Sequence, residues 1–314
     1  MTTLAMVFPG QGSQSVGMLE AYGDRPEVRD TVAEASELLG QDIARLVAEG
    51  PPEELSRTVN TQPIMLTAGV ATYRLWHALG GPAPSVVAGH SLGEYTALVA
   101  AGSLAFEDAL PLVRFRAQAM QDAVPAGIGA MAAIIGADDD AVRGACAEAA
   151  KGEVVEPVNF NAPGQVVIAG NVGAVERAIA CAKARGAKRG VKLPVSAPFH
   201  SSLLAPAAAR LRDYLATVRV EAPRIPVIHN YDVASHPDPD GVRAALVAQA
   251  DHPVRWVETV RAIVGRGVRT VYECGPGKVL APLVARIAED AEGMPLNDLA
   301  AVEEALAALG KAKT

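Results

Sequence analysis

Gly89-His90-Ser91-Leu92-Gly93 is the stretch of this chain whose residue types and spacing point most directly to chemistry. A serine with glycine two positions away on each side fits the nucleophile elbow, a sharp strand-to-helix turn that exposes a hydroxyl. Its surroundings agree. Val86 to Ala88 is a short apolar run that predicts a buried strand, and Ala97, Leu98 and Ala101 recur at helical spacing from Leu92 onward. Glycine is expected at both flanks because the turn leaves no room for a Cβ beside the strand or the helix. Ser91 would then stand at a helix N-terminus, where the Leu92 amide and the helix dipole favour a nearby oxyanion. The bland alternative is a capping serine at an ordinary helix entry. The strand, turn and helix in that order weigh against it.

A serine acting at neutral pH needs a base, nearly always histidine. Six histidines are available. His77 falls within a predicted helix, His236 in a surface turn, and the turn aims His90 away from its neighbour Ser91. His200, His229 and His252 remain, each at or near the end of an element, and sequence order does not separate them. No acid partner is evident either. Asp108, Asp122 and Asp138 to Asp140 all read as helix caps or surface residues, which tells against a standard hydrolase triad.

Other chemistries are poorly supported. Pro9-Gly-Gln-Gly-Ser-Gln14 follows a strand, but the third glycine of a dinucleotide fingerprint would fall at position 15, which is Ser15. Gly277-Lys278 is followed by Val279, so there is no phosphate-binding loop ending in Lys-Ser/Thr. A net charge of −7 argues against a nucleic-acid partner. Three scattered cysteines, with no C-x-x-C pair, favour a reducing cytoplasm over a disulfide frame or zinc site. The longest apolar run, Gly127 to Ala137, has eleven residues and is too short to span a membrane. Leu4 to Phe8 is likewise too short for a signal segment.

The elements that must position the elbow follow from patterning. With 314 residues, half of them hydrophobic and only 4% aromatic, the chain suits a large α/β protein of two units with many close-packed helices. Leu4 to Phe8 is a first buried strand. Helical patterning covers Val28 to Leu39, Ile43 to Val47 and Gln62 to Leu79, with Pro51-Pro52 as a break. A further helix, Phe106 to Gln121, puts Phe106, Leu110, Val113, Ala117 and Met120 on one face. Arg114 and Arg116 flank that face by about 80° on either side. From Met131 the texture changes to strand, helix, strand, strand, helix and strand, ending at Lys192 to Val195. This is the split ferredoxin-like unit, expected as an insert over 125–195 in a larger α/β unit of 1–124 and 196–314. Lys183, Arg185, Lys188, Arg189 and Lys192 make its end locally basic, either a docking patch or a solvated helix end. Beyond it come the loop Ser196 to Ser202, a strand at Pro226 to His229, an exposed turn at His236 to Gly241, two helices, and a last strand at Thr270 to Glu273.

Taken together, Pro9 to Gln14, Gly89-His-Ser-Leu-Gly-Glu-Tyr95, Arg116, Pro198-Phe-His-Ser201, Asn230, Gln249 and Glu273-Cys-Gly-Pro-Gly277 resemble the malonyl-CoA:acyl carrier protein transacylases of bacterial type II fatty acid synthesis. The resemblance covers nearly the whole chain in family order. It implies an α/β-hydrolase-like large subdomain with a ferredoxin-like insert, and ping-pong acyl transfer without metal or redox cofactor. It implies Ser91 as nucleophile and His200 as base, the base being oriented by the main-chain carbonyl of Gln249 with Asn230 close by. Gln11 and Leu92 would supply the oxyanion-hole amides, and Arg116 would grip the malonyl carboxylate. Lys188 and Arg189 fall where the family meets the acidic carrier or the CoA phosphates. The partners implied are malonyl-CoA and holo-acyl carrier protein, served by a cytoplasmic monomer. His229 departs from the small or amide residue common at that position. A serine hydrolase, releasing acid to water, is the rival from another class; Arg116 and the missing triad acid oppose it.

Overall fold

All five residues of β1 (Leu4–Phe8) are buried, because both faces of the strand are covered. Leu4, Met6 and Phe8 join one apolar core, whereas Ala5 and Val7 join another on the opposite face. That is the signature of a parallel sheet between two helical layers. The computed structural model describes residues 3–195 and 197–311.

The chain then forms β2 (Val86–Gly89), β3 (Gly129–Ile135), β4 (Val155–Ala162), β5 (Gln165–Asn171), β6 (Arg189–Lys192), β7 (Val227–Ile228), β8 (Thr270–Glu273) and β9 (Glu292–Pro295). Five of these strands make one parallel sheet in the order β7-β2-β1-β8-β9. The loops that leave β1, β2, β7 and β8 therefore open at one edge of that sheet, where open α/β sheets bind their ligands. The remaining strands form an antiparallel sheet, β4-β5-β3-β6, the ferredoxin-like order. Helices Asp139–Ala150 and Val172–Ala184 cover one of its faces. Met131, Val158, Val167 and Ala169 on the other face pack against Leu193, Val195 and Phe199. The fold is thus α/β, with a hydrolase-like large subdomain and a smaller ferredoxin-like one. Val254 ties the two together: its N–H donates to the Val158 carbonyl at 2.8 Å and its own carbonyl accepts from Phe160 at 3.0 Å.

Several elements depart from expectation. The strand expected at Lys192 to Val195 lies at Arg189–Lys192 instead, paired with Ile135 to Ala132 of β3. Pro194 has no N–H to donate and stops the ladder, while three of the four strand residues are exposed and carry no apolar alternation. Glu273 does not end the last strand. Glu292–Pro295 adds an edge strand with no β-branched residue, formed by pairing with β8 rather than by propensity. Pro52 starts a short helix, Pro52–Leu55, because proline is tolerated at a first helical position. Helix Pro239–Gln249 likewise begins within the expected turn at His236 to Gly241, capped by the Asp238 carboxylate. Ser196, the first residue of the expected loop Ser196 to Ser202, lies outside the described residues. Among the described residues no helix is long and apolar enough to cross a membrane.

Candidate active site

The elbow is built by close approach. A Cβ on Gly93 would sit 1.9 Å from the Phe8 carbonyl oxygen, and one on Gly89 would sit 1.9 Å from the backbone of Gly93. Neither position takes any other residue without moving β1 or the helix Gly93–Ala100. Ser91 itself has φ 52°, in the left-handed region that L side chains rarely adopt. Such a conformation is held against a strain of roughly 1–3 kcal/mol. Hydrogen bonds to Asn230, Gln249 and Glu94 help to hold the turn. The Ser91 amide donates to Asn230 Oδ1 at 2.7 Å, and Asn230 Nδ2 donates to the Gly89 carbonyl at 2.7 Å. The Ser91 carbonyl accepts from Gln249 Nε2 at 2.9 Å and from the Glu94 amide at 3.1 Å.

His200 reaches the hydroxyl. Its Nε2 lies 2.7 Å from Ser91 Oγ, and its Nδ1 lies 2.8 Å from the Gln249 carbonyl. A carbonyl only accepts, so Nδ1 carries the proton and Nε2 offers its lone pair to Oγ–H. Gln249 is the last residue of helix Pro239–Gln249, where carbonyls lack intrahelical partners and the helix dipole is negative. A helix terminus thereby does the orienting that a triad aspartate would do. His200, like Ser91, has a positive φ, 65°.

Burial pushes the His200 pKa down to about 3, with the Arg116 charge adding to the effect. The imidazole is therefore neutral, and able to take a proton, throughout the ordinary pH range. A stability consequence follows. Below its ordinary value of 6.5 the unfolded chain protonates this histidine, whereas the folded chain holds it neutral until about pH 3. Unfolding then takes up a proton, so stability falls as pH drops from 6.5 towards 3, by at most about 1.4 kcal/mol per pH unit. Urea midpoints measured from pH 7 to pH 4 are expected to fall more steeply for the wild type than for His200→Ala; equal slopes would contradict this account.

Arg116 comes from helix Phe106–Ala123 and is only 2% exposed. Its NH1 donates to Gln62 Oε1 at 2.7 Å, and its NH2 donates to Gln249 Oε1 at 2.8 Å and to Ser91 Oγ at 3.1 Å. The guanidinium lies over the Tyr95 ring, 5.2 Å from its centroid. Among the described residues it makes no ion pair, and its Nε has no partner. Burial holds its pKa below the usual arginine value. A buried cation is costly, and Tyr95 and the Glu94 charge nearby favour its charged form.

Ser91, Leu92, Gln11, His200 and Arg116 all line one cavity of about 120 Å³, walled by Met131, Leu193 and Val195 from the small subdomain and by Phe199 just beyond it. Among the described residues, the amides of Gln11 and Leu92 donate to no acceptor. The Gln11 side chain is engaged with Thr58 at 3.2 Å.

The other expected residues are placed as follows. Asn230, expected beside the base, bonds the elbow instead, at Ser91 N and Gly89 O, because its side chain leaves β7 alongside β2. His90 lines the cavity but its Nε2 is bonded to Asn161 Oδ1 at 2.8 Å. His252 is exposed and meets Ala248 O and Asp251, while His229 is fully buried against Glu94. Lys188 and Arg189 are exposed at the start of β6, the strand that leads to Leu193 and Val195. Of the five basic residues, Arg185 pairs with Glu148 and Lys192 with Glu176, so the local positive charge without an ion pair, among the described residues, rests on Lys183, Lys188 and Arg189. Gln62 and Glu94 were missed. The available signal was a polar residue inside an otherwise apolar helical stretch, which is ambiguous until a buried partner is known.

Comparison with known proteins agrees with this geometry. The acyl transferase domain family matches residues 5–303. The malonyl CoA-acyl carrier protein transacylase of Escherichia coli (strain K12) is 53% identical over 307 residues, covering 98% of this chain and 99% of that one. That of Bacillus subtilis (strain 168) is 41% identical over 311 residues, covering 98% of each. The crystal structure of an acyl-carrier-protein S-malonyltransferase from Burkholderia pseudomallei 1710b is 62% identical, with a TM-score of 0.96 and coverage of 97% of this chain and 99% of that one. A structure of a type II PKS acyl-carrier protein in complex with its malonyl-transacylase matches at 50% identity with a TM-score of 0.96, over 97% and 99% of the two chains. With a Ser–His pair at a glycine-bound elbow and full-length similarity of this order, the chain belongs to the malonyl CoA-acyl carrier protein transacylase family, within the acyl transferases.

Proposed function

We propose that this protein moves malonyl from malonyl-CoA to the phosphopantetheine thiol of holo-acyl carrier protein, through a malonyl ester on Ser91, supplying units for fatty acid synthesis. The observation that carries this reading is Arg116, a buried guanidinium that makes no ion pair among the described residues, 3.1 Å from the hydroxyl that would be acylated. An acyl group bearing a free carboxylate complements it, and a planar guanidinium can hold that carboxylate bidentately. Acetyl offers it nothing.

The steps balance within the groups named. His200 Nε2 takes the Oγ–H proton of Ser91 as Oγ attacks the thioester carbon. The amides of Gln11 and Leu92 receive the negative oxygen. Collapse breaks the C–S bond, and the CoA thiol leaves with the proton held by His200. In the second half, His200 takes the proton of the carrier's thiol, the sulfur attacks the Ser91 ester, and Oγ recovers its hydrogen. Carbon changes no oxidation state, so no redox partner is called for. Every group belongs to one chain, so a monomer suffices. His200 becomes a stronger base when a malonyl carboxylate offsets the Arg116 charge that helps to depress it.

Intact-mass spectrometry tests the reading. Exposure to malonyl-CoA is expected to add one malonyl group, and holo-carrier protein is expected to remove it. Release to water at the same rate without carrier would make the protein a hydrolase instead.

Lys188 and Arg189, exposed and without ion pairs among the described residues, are our candidates to meet the carrier or the CoA phosphates, since β6 begins at Arg189 and leads to Leu193 and Val195 of the cavity wall. Lys188→Glu combined with Arg189→Glu is expected to slow transfer to the acidic carrier and to flatten its dependence on salt, since steering by charge is screened. Stopped-flow rates at two ionic strengths check this. Unchanged carrier kinetics would reduce the pair to a solvated face.

A further inference from the structure

Glu94 and His229 form a fully buried acid–imidazole pair that the transfer steps leave unused. Glu94 lies in the first turn of the helix Gly93–Ala100, three residues after Ser91. Its Oε1 accepts from His229 Nδ1 at 2.8 Å, and its Oε2 accepts from the Asn230 amide at 2.8 Å. Asn230 is the residue whose side chain grips Ser91 N and Gly89 O. One line of hydrogen bonds thus runs from His229 through Glu94 and Asn230 to the strained backbone of Ser91.

The bonding of His229 is divided in a telling way. Its backbone closes the turn after β7, donating to the Ala234 carbonyl at 3.0 Å and accepting from Val233 at 3.1 Å, so the turn does not depend on the side chain. In the side chain, among the described residues, Nε2 has no hydrogen-bond partner and Nδ1 bonds Glu94 alone. A buried carboxylate needs donors on both oxygens. Without Nδ1–H, Glu94 would be half-satisfied and free to turn away from Asn230.

We infer that Glu94 and His229 are positioning residues for acyl transfer: His229 fixes Glu94, and Glu94 fixes Asn230, so that the Asn230 side chain holds Ser91 in the geometry that presents Oγ to His200. This rests on Ser91 being the nucleophile. Neither residue touches the acyl group.

The test uses the full chain with four variants and measures kcat and KM for malonyl transfer, with the amide resonance of Ser91 followed by NMR. Glu94→Gln with His229→Leu leaves no charge buried and removes the donor; Glu94→Leu with His229→Leu is a second, wholly apolar form should the first not fold. Glu94→Gln alone and His229→Asn alone each keep a donor facing an acceptor. The double variants are expected to lose roughly 10- to 100-fold in kcat, the effect of a small misplacement of a reacting group. Their KM is expected to stay within about threefold, and the Ser91 amide proton to move upfield as its bond to Asn230 lengthens. Each single variant is expected to recover most of the rate. Wild-type kcat in the doubles, or singles as slow as the doubles, overturns the inference. Ser91→Ala runs alongside: if it still accepts malonyl, the nucleophile assignment falls and takes this inference with it, whereas a dead Ser91→Ala beside fully active doubles overturns this inference alone.

Discussion

Ser91→Ala is expected to give a folded protein that gains no mass on exposure to malonyl-CoA and transfers no malonyl. The loss should approach the roughly 10⁶-fold in kcat seen when a serine nucleophile is removed, because Ser91 carries the one hydroxyl among the residues that line the cavity, and no thiol lines it. Oγ is the atom on which His200 Nε2 and Arg116 NH2 converge, at 2.7 and 3.1 Å. Folding should survive, since the bonds that hold the turn go to the Ser91 backbone rather than to its hydroxyl. His200→Ala belongs to the same expectation with a smaller effect, about 10²- to 10⁴-fold on acylation, the usual range for a general base. His252→Ala, lacking contact with Oγ, should fall well short of it, and His229→Ala should lose no more than the roughly 10- to 100-fold expected of a positioning residue. Peptide mapping after malonyl-CoA treatment decides the matter. Malonyl on any other residue, or an acylated Ser91→Ala, would remove Ser91 from the mechanism.

The unequal legibility of the site has physical causes. An elbow is a local structure: its glycines are required by contacts within a few residues and one strand away, so its pattern survives in the chain as Gly89-x-Ser91-x-Gly93. The base is a long-range matter. His200, His229 and His252 look alike in sequence, and what separates them is that His200 alone of the three reaches Ser91 Oγ, with the Gln249 carbonyl holding its other ring nitrogen. The expectation of a missing acid had the same root. A main-chain carbonyl has no residue type, so no search for carboxylates could find it. Asn230 was expected at the base and is found at the elbow, because β7 runs parallel to β2 and the loop that leaves it, two residues past Ile228, meets the adjoining turn. Strands β6 and β9 were displaced or missed because pairing, not composition, makes them. Helices with strong apolar stripes, such as Phe106–Ala123, were legible to within a few residues.

That same helix sets the sharpest comparison, since its stripe left Arg114 and Arg116 equivalent, each to one side of the buried face. Packing breaks the tie. Arg114 is half-buried and turns to the Leu39 carbonyl and the Gln41 side chain, away from the cavity. Arg116 turns inward, held by Gln62 and Gln249. Malonyl and acetyl differ by one carboxylate, and bringing that charge out of water must be offset by a partner in the site. Arg116→Ala should therefore cost malonyl transfer about 2–5 kcal/mol, as for truncating one partner of a buried charge pair, or roughly 30- to 5,000-fold. Acetyl-CoA strands no charge and loses nothing by the change; relief of a buried cation should leave it equal or better as a substrate. The ratio of kcat/KM for malonyl-CoA over acetyl-CoA, measured in wild type, Arg116→Ala and Arg114→Ala, isolates this from any general damage to the fold, because a loosened site lowers both values together. The ratio is expected to collapse in Arg116→Ala and to hold in Arg114→Ala. If it held in both, the carboxylate would be recognised elsewhere, and the buried guanidinium would be left as a brace between Gln62 and Gln249.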